Sequence, residues 1–196
     1  MFYKLLFVFS LMLSVFGCTH QTIKMPVQET GVLINDKLSF ELLKPFHNKG
    51  SFSLSQAVSI QYKDQQHNFI AQLELNNNSF KMVGVTSTGI LLFTIYSDKQ
   101  QYIYDPSPLL PESMNLRYLF ADIQLTYWPV SELNRQLIKQ NSSILQSRLN
   151  RTLSQNGDDI ITIDYDKPDP WASSVSFRHL KRDYTVNITL LNMESL

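Results

Sequence analysis

Apolar and polar residues alternate along much of the chain between residues 56 and 105. An alternation of period two places every second side chain on the same face of a β-strand. In residues 69–75, for example, Phe69, Ala71, Leu73 and Leu75 share one face. Short polar turns separate these segments, so we expect the strands to be antiparallel neighbours. The predicted meander comprises Gln56–Lys63, Phe69–Leu75, Phe80–Thr86, Ile90–Tyr96 and Gln101–Asp105.

The apolar spacing becomes helical after a proline-rich connector at residues 106–111. Leu116, Leu119, Phe120, Ile123 and Tyr127 follow the spacing of one helix face. We predict a helical insertion over about residues 112–140. Its first helix begins at Glu112 and ends at Trp128 and Pro129, and its second runs from Glu132 to about Lys139 with Ser131 as its cap.

Alternation returns in the last third of the chain. The predicted strands there are Ser147–Leu153, Ile160–Tyr165, Ser174–His179 and Tyr184–Leu191, with a turn at Gly157 and Asp158. Residues 37–44 fit either a short helix or a first strand. The sequence therefore predicts one domain over residues 37–196, mainly β with a helical insertion.

The N-terminus has the pattern of a secretory signal. Lys4 precedes an apolar run over residues 5–16, which is too short for a comfortable transmembrane helix. Residues 15–18, Val-Phe-Gly-Cys, resemble the lipobox of bacterial lipoproteins. The alternatives are a plain secretory signal or a small buried cysteine.

The lipobox resemblance implies a location. Residues 1–17 would be the signal peptide, Cys18 would carry the lipid anchor (diacylglycerol and a palmitate-type acyl chain), and residues 18–36 would form the tether. Several acyl chains anchor a protein stably where one does not. Thr19 is not the Asp that retains such proteins at the inner membrane. The expected location is therefore the periplasmic face of the outer membrane in a Gram-negative bacterium.

Composition narrows the function classes. Charges balance at 17 basic and 17 acidic residues, and no basic stripe is present, so no nucleic-acid partner is expected. The single cysteine leaves no disulfide. The four histidines have no metal-ligand spacing, the aspartates at 158–169 do not match a calcium loop, and no nucleophile elbow occurs. We predict no metal, no cofactor and no enzymatic activity.

Three stretches carry a resemblance to a known family. They are residues 84–93, Leu110 with Pro111, and Ala121–Pro129. They resemble a family of bacterial lipoproteins named domain of unknown function 3261, whose members are often encoded among aryl-polyene or fatty-acid-like biosynthesis genes. Ser173–Leu190 resembles the terminal hairpin of the LolA/LolB lipoprotein-carrier fold. These resemblances imply an incomplete antiparallel β-barrel, a half-barrel covered by helices, over about residues 37–192.

One feature departs from the LolB-like pattern. Such proteins carry an exposed apolar residue on a loop in the first half of the barrel, which helps to deliver lipoprotein into the membrane. The corresponding turn here, Thr86–Gly89, has no such residue. Delivery of lipoprotein is therefore not expected, whereas a cavity is.

The expected function is binding of an apolar ligand in the half-barrel. The ligand would be an acyl chain, a polyene chain or the lipid moiety of a lipoprotein, and its binding would assist transport or placement at the outer membrane. The candidate cavity residues are Phe93, Leu119, Phe120, Ile123 and Trp128. Which strand face is concave decides whether Phe93 belongs among them. The alternative is a structural or assembly lipoprotein that docks an envelope transport or biosynthesis protein.

Overall fold

The computed structural model describes residues 30–45 and 50–196, which form twelve strands and two α-helices. Helix α1 spans Leu116–Tyr127 and helix α2 spans Val130–Leu137. The strands are β1 Gly31–Asn35, β2 Leu38–Glu41, β3 Phe52–Tyr62, β4 Gln65–Leu75, β5 Ser79–Val85, β6 Leu91–Asp98, β7 Tyr102–Pro106, β8 Ser142–Gln146, β9 Asn150–Gln155, β10 Asp158–Tyr165, β11 Val175–His179 and β12 Tyr184–Ser195.

Ten of the strands form one antiparallel sheet. Its order is β7-β6-β5-β4-β3-β12-β11-β10-β9-β8, so two meanders meet where β3 pairs with β12. β7 and β8 lie at opposite edges and do not pair with each other, which leaves the sheet open. The predicted fold, a mainly β half-barrel with a helical insertion, is confirmed.

The inner face of the sheet forms the core. Registers place Leu54, Leu73, Met82, Ile95 and Tyr104 side by side on β3 to β7. All but Tyr104 are almost fully buried. The predicted face of residues 69–75 is confirmed, because Phe69, Ala71, Leu73 and Leu75 all point inward, and Val186 of β12 is buried with them.

Both helices begin at other residues than the sequence predicts. Residues 111–114 are turns, and α1 begins after Asn115, whose side chain accepts a hydrogen bond from the backbone N–H of Arg117 at 2.9 Å. Asparagine satisfies a free N–H of the first turn, which Glu112 cannot do from its position. Ser131 is not a cap, because α2 begins at Val130 directly after Pro129.

The predicted strand Ser147–Leu153 begins at the wrong residue, because only its residues 150–153 belong to a strand, β9. The chain turns at residues 147–149, where the backbone N–H of Ser147 bonds to the carbonyl of Asn150 at 2.8 Å, and this turn separates β8 from β9. The next turn lies at Asn156 and Gly157, one residue before the predicted position. Both have positive φ, 53° and 90°, which suits a tight hairpin turn.

A second, two-stranded sheet packs over the helices. It is the hairpin of β1 and β2, in which Val32, Ile34, Leu38, Phe40 and Leu42 are buried. Residues 37–44 are thus extended rather than helical. Since β1 begins at Gly31, the segment assigned to the tether, 18–36, ends in a folded strand. Cys18 and Thr19 lie outside the described residues.

Three glutamine amides hold β2 in place. Gln124, Gln136 and Gln140 each accept from one backbone N–H and donate to the carbonyl of the same residue, at 2.7–3.0 Å. Their partners are every second residue along the chain, namely Leu43, Glu41 and Ser39. These amides satisfy the polar groups of a strand edge that no other strand pairs with.

Candidate functional site

A cleft of about 560 Å³ opens at the N-terminal end of α1. Its walls come from α1, from the adjoining ends of β3 and β4, and from the start of β12. A volume of this size lies within the range of small-molecule sites, roughly 300–1,000 Å³. The lining residues are Ile60, Tyr62, His67, Ser113, Met114, Asn115, Tyr118, Leu119, Asp122, Arg182, Tyr184 and Val186.

The inner end of the cleft is apolar. Leu119, Asp122 and Val186 also line a small void of about 20 Å³ between α1 and the sheet. The remaining walls of the void include Val58, Met82 and Phe177. The void therefore adjoins the cleft on the side between the helix and the inner face of the sheet.

The rim of the cleft is organised by Arg182, in the turn between β11 and β12. Its guanidinium donates to the carbonyl of Leu33 at 2.6 Å and lies 4.3 Å from the centre of the Tyr118 ring. The backbone N–H of Arg182 donates to Nδ1 of the buried His179, and Nε2 of that ring is 3.0 Å from the carbonyl of Ile34. These contacts fasten the rim to β1.

His179 is held in its neutral form. Burial, together with the charge of the nearby Arg182, lowers the pKa of His179 to about 4. With Nδ1 accepting from Arg182, Nε2 carries the proton and donates to Ile34. The imidazole therefore acts as a neutral bridge between the rim and β1.

Asp122 is the carboxyl group in the wall of the cleft. It accepts a hydrogen bond from the hydroxyl of Tyr184 at 2.6 Å. Burial raises the pKa of Asp122 to about 7, against the opposing effects of Tyr184 and Arg182. The same burial, together with Asp122, raises the pKa of Tyr184 well above its usual value. The neutral carboxyl is thus substantially populated at physiological pH.

The structure separates the predicted cavity residues into two groups. Leu119 lines both the cleft and the void, and Ile123 lines the void. Phe93, Phe120 and Trp128 are packed in the core and line neither. Phe120 lies 5.0 Å from Phe80 and 6.1 Å from Trp128 between ring centres, and Phe93 lies 5.4 Å from Phe69. These aromatic side chains fill the inner face instead of leaving it open.

Sequence reasoning missed the polar residues of the cleft, His67, Asp122, Arg182 and Tyr184. One signal was present for Asp122, since it is an acidic residue between Ala121 and Ile123, within the apolar helix segment. A carboxyl there is either buried or at the edge of a site. The other three are spread over 118 residues and meet only because β3, β4 and β12 are neighbours.

The turn between β5 and β6 differs from its predicted composition. The backbone N–H of Thr86 bonds to the carbonyl of Ile90, so the turn includes Ile90. Ile90 and the following Leu91 are 52% and 45% exposed. Two exposed apolar residues therefore lie at this turn, whereas the predicted turn Thr86–Gly89 contains no exposed apolar residue.

Within residues 30–45 and 50–196, no group of three or more histidine, cysteine or acidic side chains is placed to hold a metal ion. In the same part of the chain, none of the helices has the length and apolar character needed to cross a bilayer.

The family follows from the sequence. The model of the family described as "Protein of unknown function (DUF3261)" matches residues 53–192, which include most of the sheet and both helices. The chain belongs to the DUF3261 family. No curated protein matches it.

Two solved structures of similar outline are a LolA superfamily protein and a lipoprotein-sorting protein domain. A LolA superfamily protein from Nitrosomonas europaea is 9% identical, with a TM-score of 0.45, over 77% of this chain and 88% of that one. A domain from Vibrio parahaemolyticus described as an outer membrane lipoprotein-sorting protein domain is 6% identical, with a TM-score of 0.39, over 76% of this chain and 86% of that one. Both identities are below 10% and both TM-scores are below 0.5, so neither structure indicates what this DUF3261 chain binds.

Proposed function

We propose that this DUF3261 protein is an outer-membrane lipoprotein that binds an apolar ligand in the cleft beside α1. The ligand is an acyl chain, a polyene chain or the lipid moiety of a lipoprotein, and binding assists its transport or its placement at the outer membrane. The observation that carries the proposal is the cleft itself, about 560 Å³ in volume, with apolar side chains of α1, β3 and β12 in its walls.

The energetics of such binding are favourable. Each CH₂ group removed from water contributes about 0.8 kcal/mol, so a chain of ten carbons contributes roughly 8 kcal/mol before the costs of ordering it. Ile60, Leu119 and Val186 supply apolar walls for it. This contribution needs no catalytic group, in keeping with a binding protein that is not an enzyme.

A second candidate is a structural or assembly lipoprotein that docks a protein partner. It is favoured by the aromatic packing of the inner face, where Phe80, Phe120 and Trp128 occupy the space that a larger cavity needs. The two candidates differ in whether the cleft holds a ligand.

Leu119→Trp tests the first candidate. The indole enlarges a residue shared by the cleft and the void while remaining apolar, so it occupies ligand volume. We expect retention of a fluorescent fatty acid by residues 19–196 to fall about tenfold or more, a loss of at least 1.4 kcal/mol. Circular dichroism monitors folding.

Leu145→Trp is the matched control, because Leu145 lies on β8 and is 72% exposed. It should leave binding unchanged. If the folded wild-type protein retains neither an acyl nor a polyene probe at micromolar concentration, the carrier function is abandoned for the assembly role.

A further inference from the structure

Arg182 is the only arginine or lysine among the side chains that line the cleft in the described part of the chain. It lies at the rim and is half-buried between the start of β12 and α1. Every other basic residue described lies outside this lining. A single fixed cation beside an apolar cleft distinguishes ligands by their polar end rather than by their tail.

The guanidinium is oriented but not neutralised. A guanidinium has five N–H donors, and the carbonyl of Leu33 accepts from Nη2. The Tyr118 ring fixes the plane of the group. Within residues 30–45 and 50–196 no carboxylate forms an ion pair with it; the pairs found there include Arg135–Glu132 and Arg178–Asp164. The remaining donors suit the two oxygens of a carboxylate or phosphate.

A neighbouring feature favours the same ligand charge. The N-terminus of α1 also lies at the rim, with Asn115 as its cap and no acidic residue in its first turn. The positive end of the helix dipole therefore adds to the charge of Arg182.

Among the described residues that line the cleft, Asp122 is the one acidic group and so the one that opposes a bound anion. Its carboxyl is bonded to Tyr184, and burial already raises its pKa to about 7. A bound anion favours the neutral carboxyl further, because like charges at short distance disfavour ionisation. Asp122 then presents a hydroxyl group rather than a second negative charge.

We propose that the ligand of this cleft is an amphiphile with an anionic head group, a carboxylate or a phosphate, bound by Arg182 at the rim while its tail lies along Ile60, Leu119 and Val186. The inference rests on the proposed function, since it names the head group of the apolar ligand. It makes the protein selective for the charged form of a chain over its neutral alcohol.

The test uses the full-length protein in phosphatidylcholine nanodiscs. Three probes carry the same photoreactive sixteen-carbon chain and end in a carboxylate, a phosphate or an alcohol. Labelled peptides are quantified by mass spectrometry against probe concentration. We expect the carboxylate or the phosphate to label the peptides of α1 and β12 at a concentration about tenfold lower than the alcohol, as bonds to a charged group predict. Which of the two labels more strongly identifies the head group.

Arg182→Gln should lower labelling by the two anions much more than labelling by the alcohol, which brings the ratio between anion and alcohol close to one. Circular dichroism reports whether the variant is folded. Arg182→Lys, which keeps the charge but not the planar fork, should retain part of the ratio and serves if the glutamine variant is misfolded. Arg178→Gln is the control, since Arg178 lies on β11 and pairs with Asp164 outside the cleft.

The outcomes separate the two levels of the proposal. Equal labelling of the wild-type cleft by the acids and the alcohol, or an unchanged ratio in Arg182→Gln, overturns the anionic head group and leaves apolar binding standing. Absence of cleft labelling by all three probes overturns the proposed function itself.

Discussion

Asp122 couples the cleft to the protonation of a single residue. Its carboxyl lies on α1 against Tyr184 of β12, and burial raises its pKa from 3.8 to about 7. The folded protein therefore retains a proton that the unfolded chain releases as the pH rises from about 3.8. By linkage, the free energy of unfolding falls as pH rises through this window. The stabilisation is complete below about pH 4 and is lost above about pH 7.

Asp122→Asn tests this coupling. The amide still accepts from Tyr184 but does not titrate, so the pH-dependent contribution disappears. We expect the stability of the wild type relative to the variant to decrease as pH rises from about 5 to about 8 in urea unfolding. His179, with its pKa lowered to about 4, contributes a trend of opposite sign below about pH 6.5 but is present in both proteins. A constant difference across this range would contradict the raised pKa of Asp122.

Gly84 shows where residue-level reasoning from sequence ends. A Cβ atom at this position would lie 2.2 Å from the Phe93 ring, so the ring packs directly over the β5 backbone. Both faces of β6 carry apolar residues, so the sequence does not decide whether Phe93 points inward. It also does not predict that a glycine on the neighbouring strand makes room for the ring in the core. The sequence therefore offers Phe93 as a candidate cavity residue, whereas the structure packs it in the core.

At the scale of elements, the β1–β2 hairpin depends on side-chain amides. Gln136 of α2 accepts from the N–H of Glu41 at 2.7 Å and donates to its carbonyl at 2.8 Å. Gln124 and Gln140 bond to Leu43 and Ser39 in the same way. The hairpin also receives Arg182 and His179 from the cleft rim, so its docking and the shape of the rim are linked.

Gln136→Leu removes one of these paired contacts. The substitution removes two hydrogen bonds to the exposed Glu41, whose N–H and carbonyl then bond to water, so we expect a cost of about 0.5 to 1.5 kcal/mol in unfolding free energy. Amide exchange in residues 38–43 should accelerate more than exchange in β3 or β4. Gln65→Leu is the control, because Gln65 is exposed at the start of β4. Unchanged exchange in the hairpin would show that the amides are not what holds it.

The sequence predicts those strands best whose buried residues alternate with exposed ones, and it misses the strands that are held by distant side chains. Strands β3, β4 and β5 bury alternate residues along most of their length, and their alternation therefore shows in the residues themselves. β8 is a short edge strand whose Ile144 bonds to the side chain of Asn134, with distances of 2.7 and 2.9 Å. β1 and β2 lie off the main sheet and bond to glutamines. Such partners leave no periodic signal.

At the scale of the whole molecule, the pairing of β3 with β12 joins the two halves of the chain. Ile60 pairs with Val186 and Tyr62 with Tyr184, which brings both halves to the start of α1 and forms the cleft there. No local pattern specifies this pairing, because it connects residues more than 120 positions apart. The open antiparallel fold was predictable from strand order and family resemblance, but the position of the site was not.

The same scale includes the proposed attachment of the domain to the membrane. Twelve residues, 19–30, separate Cys18 from the start of β1 at Gly31. A chain of this length spans at most roughly 40 Å. If Cys18 carries the lipid, the domain must work within that distance of the bilayer, close enough to exchange an amphiphile with it.

Cys18→Ser and Thr19→Asp test the anchor that this arrangement requires. Without the thiol there is no site for alkylation, so Cys18→Ser should abolish labelling by radioactive palmitate and leave residues 1–17 uncleaved. Thr19→Asp should keep the label and move the protein to the inner-membrane fraction of a sucrose gradient. Thr22→Asp, the same change three residues further on, should leave the protein in the outer membrane. Labelling and outer-membrane fractionation of Cys18→Ser equal to wild type would refute the anchor, and a shift caused by both aspartates would refute the role of Thr19.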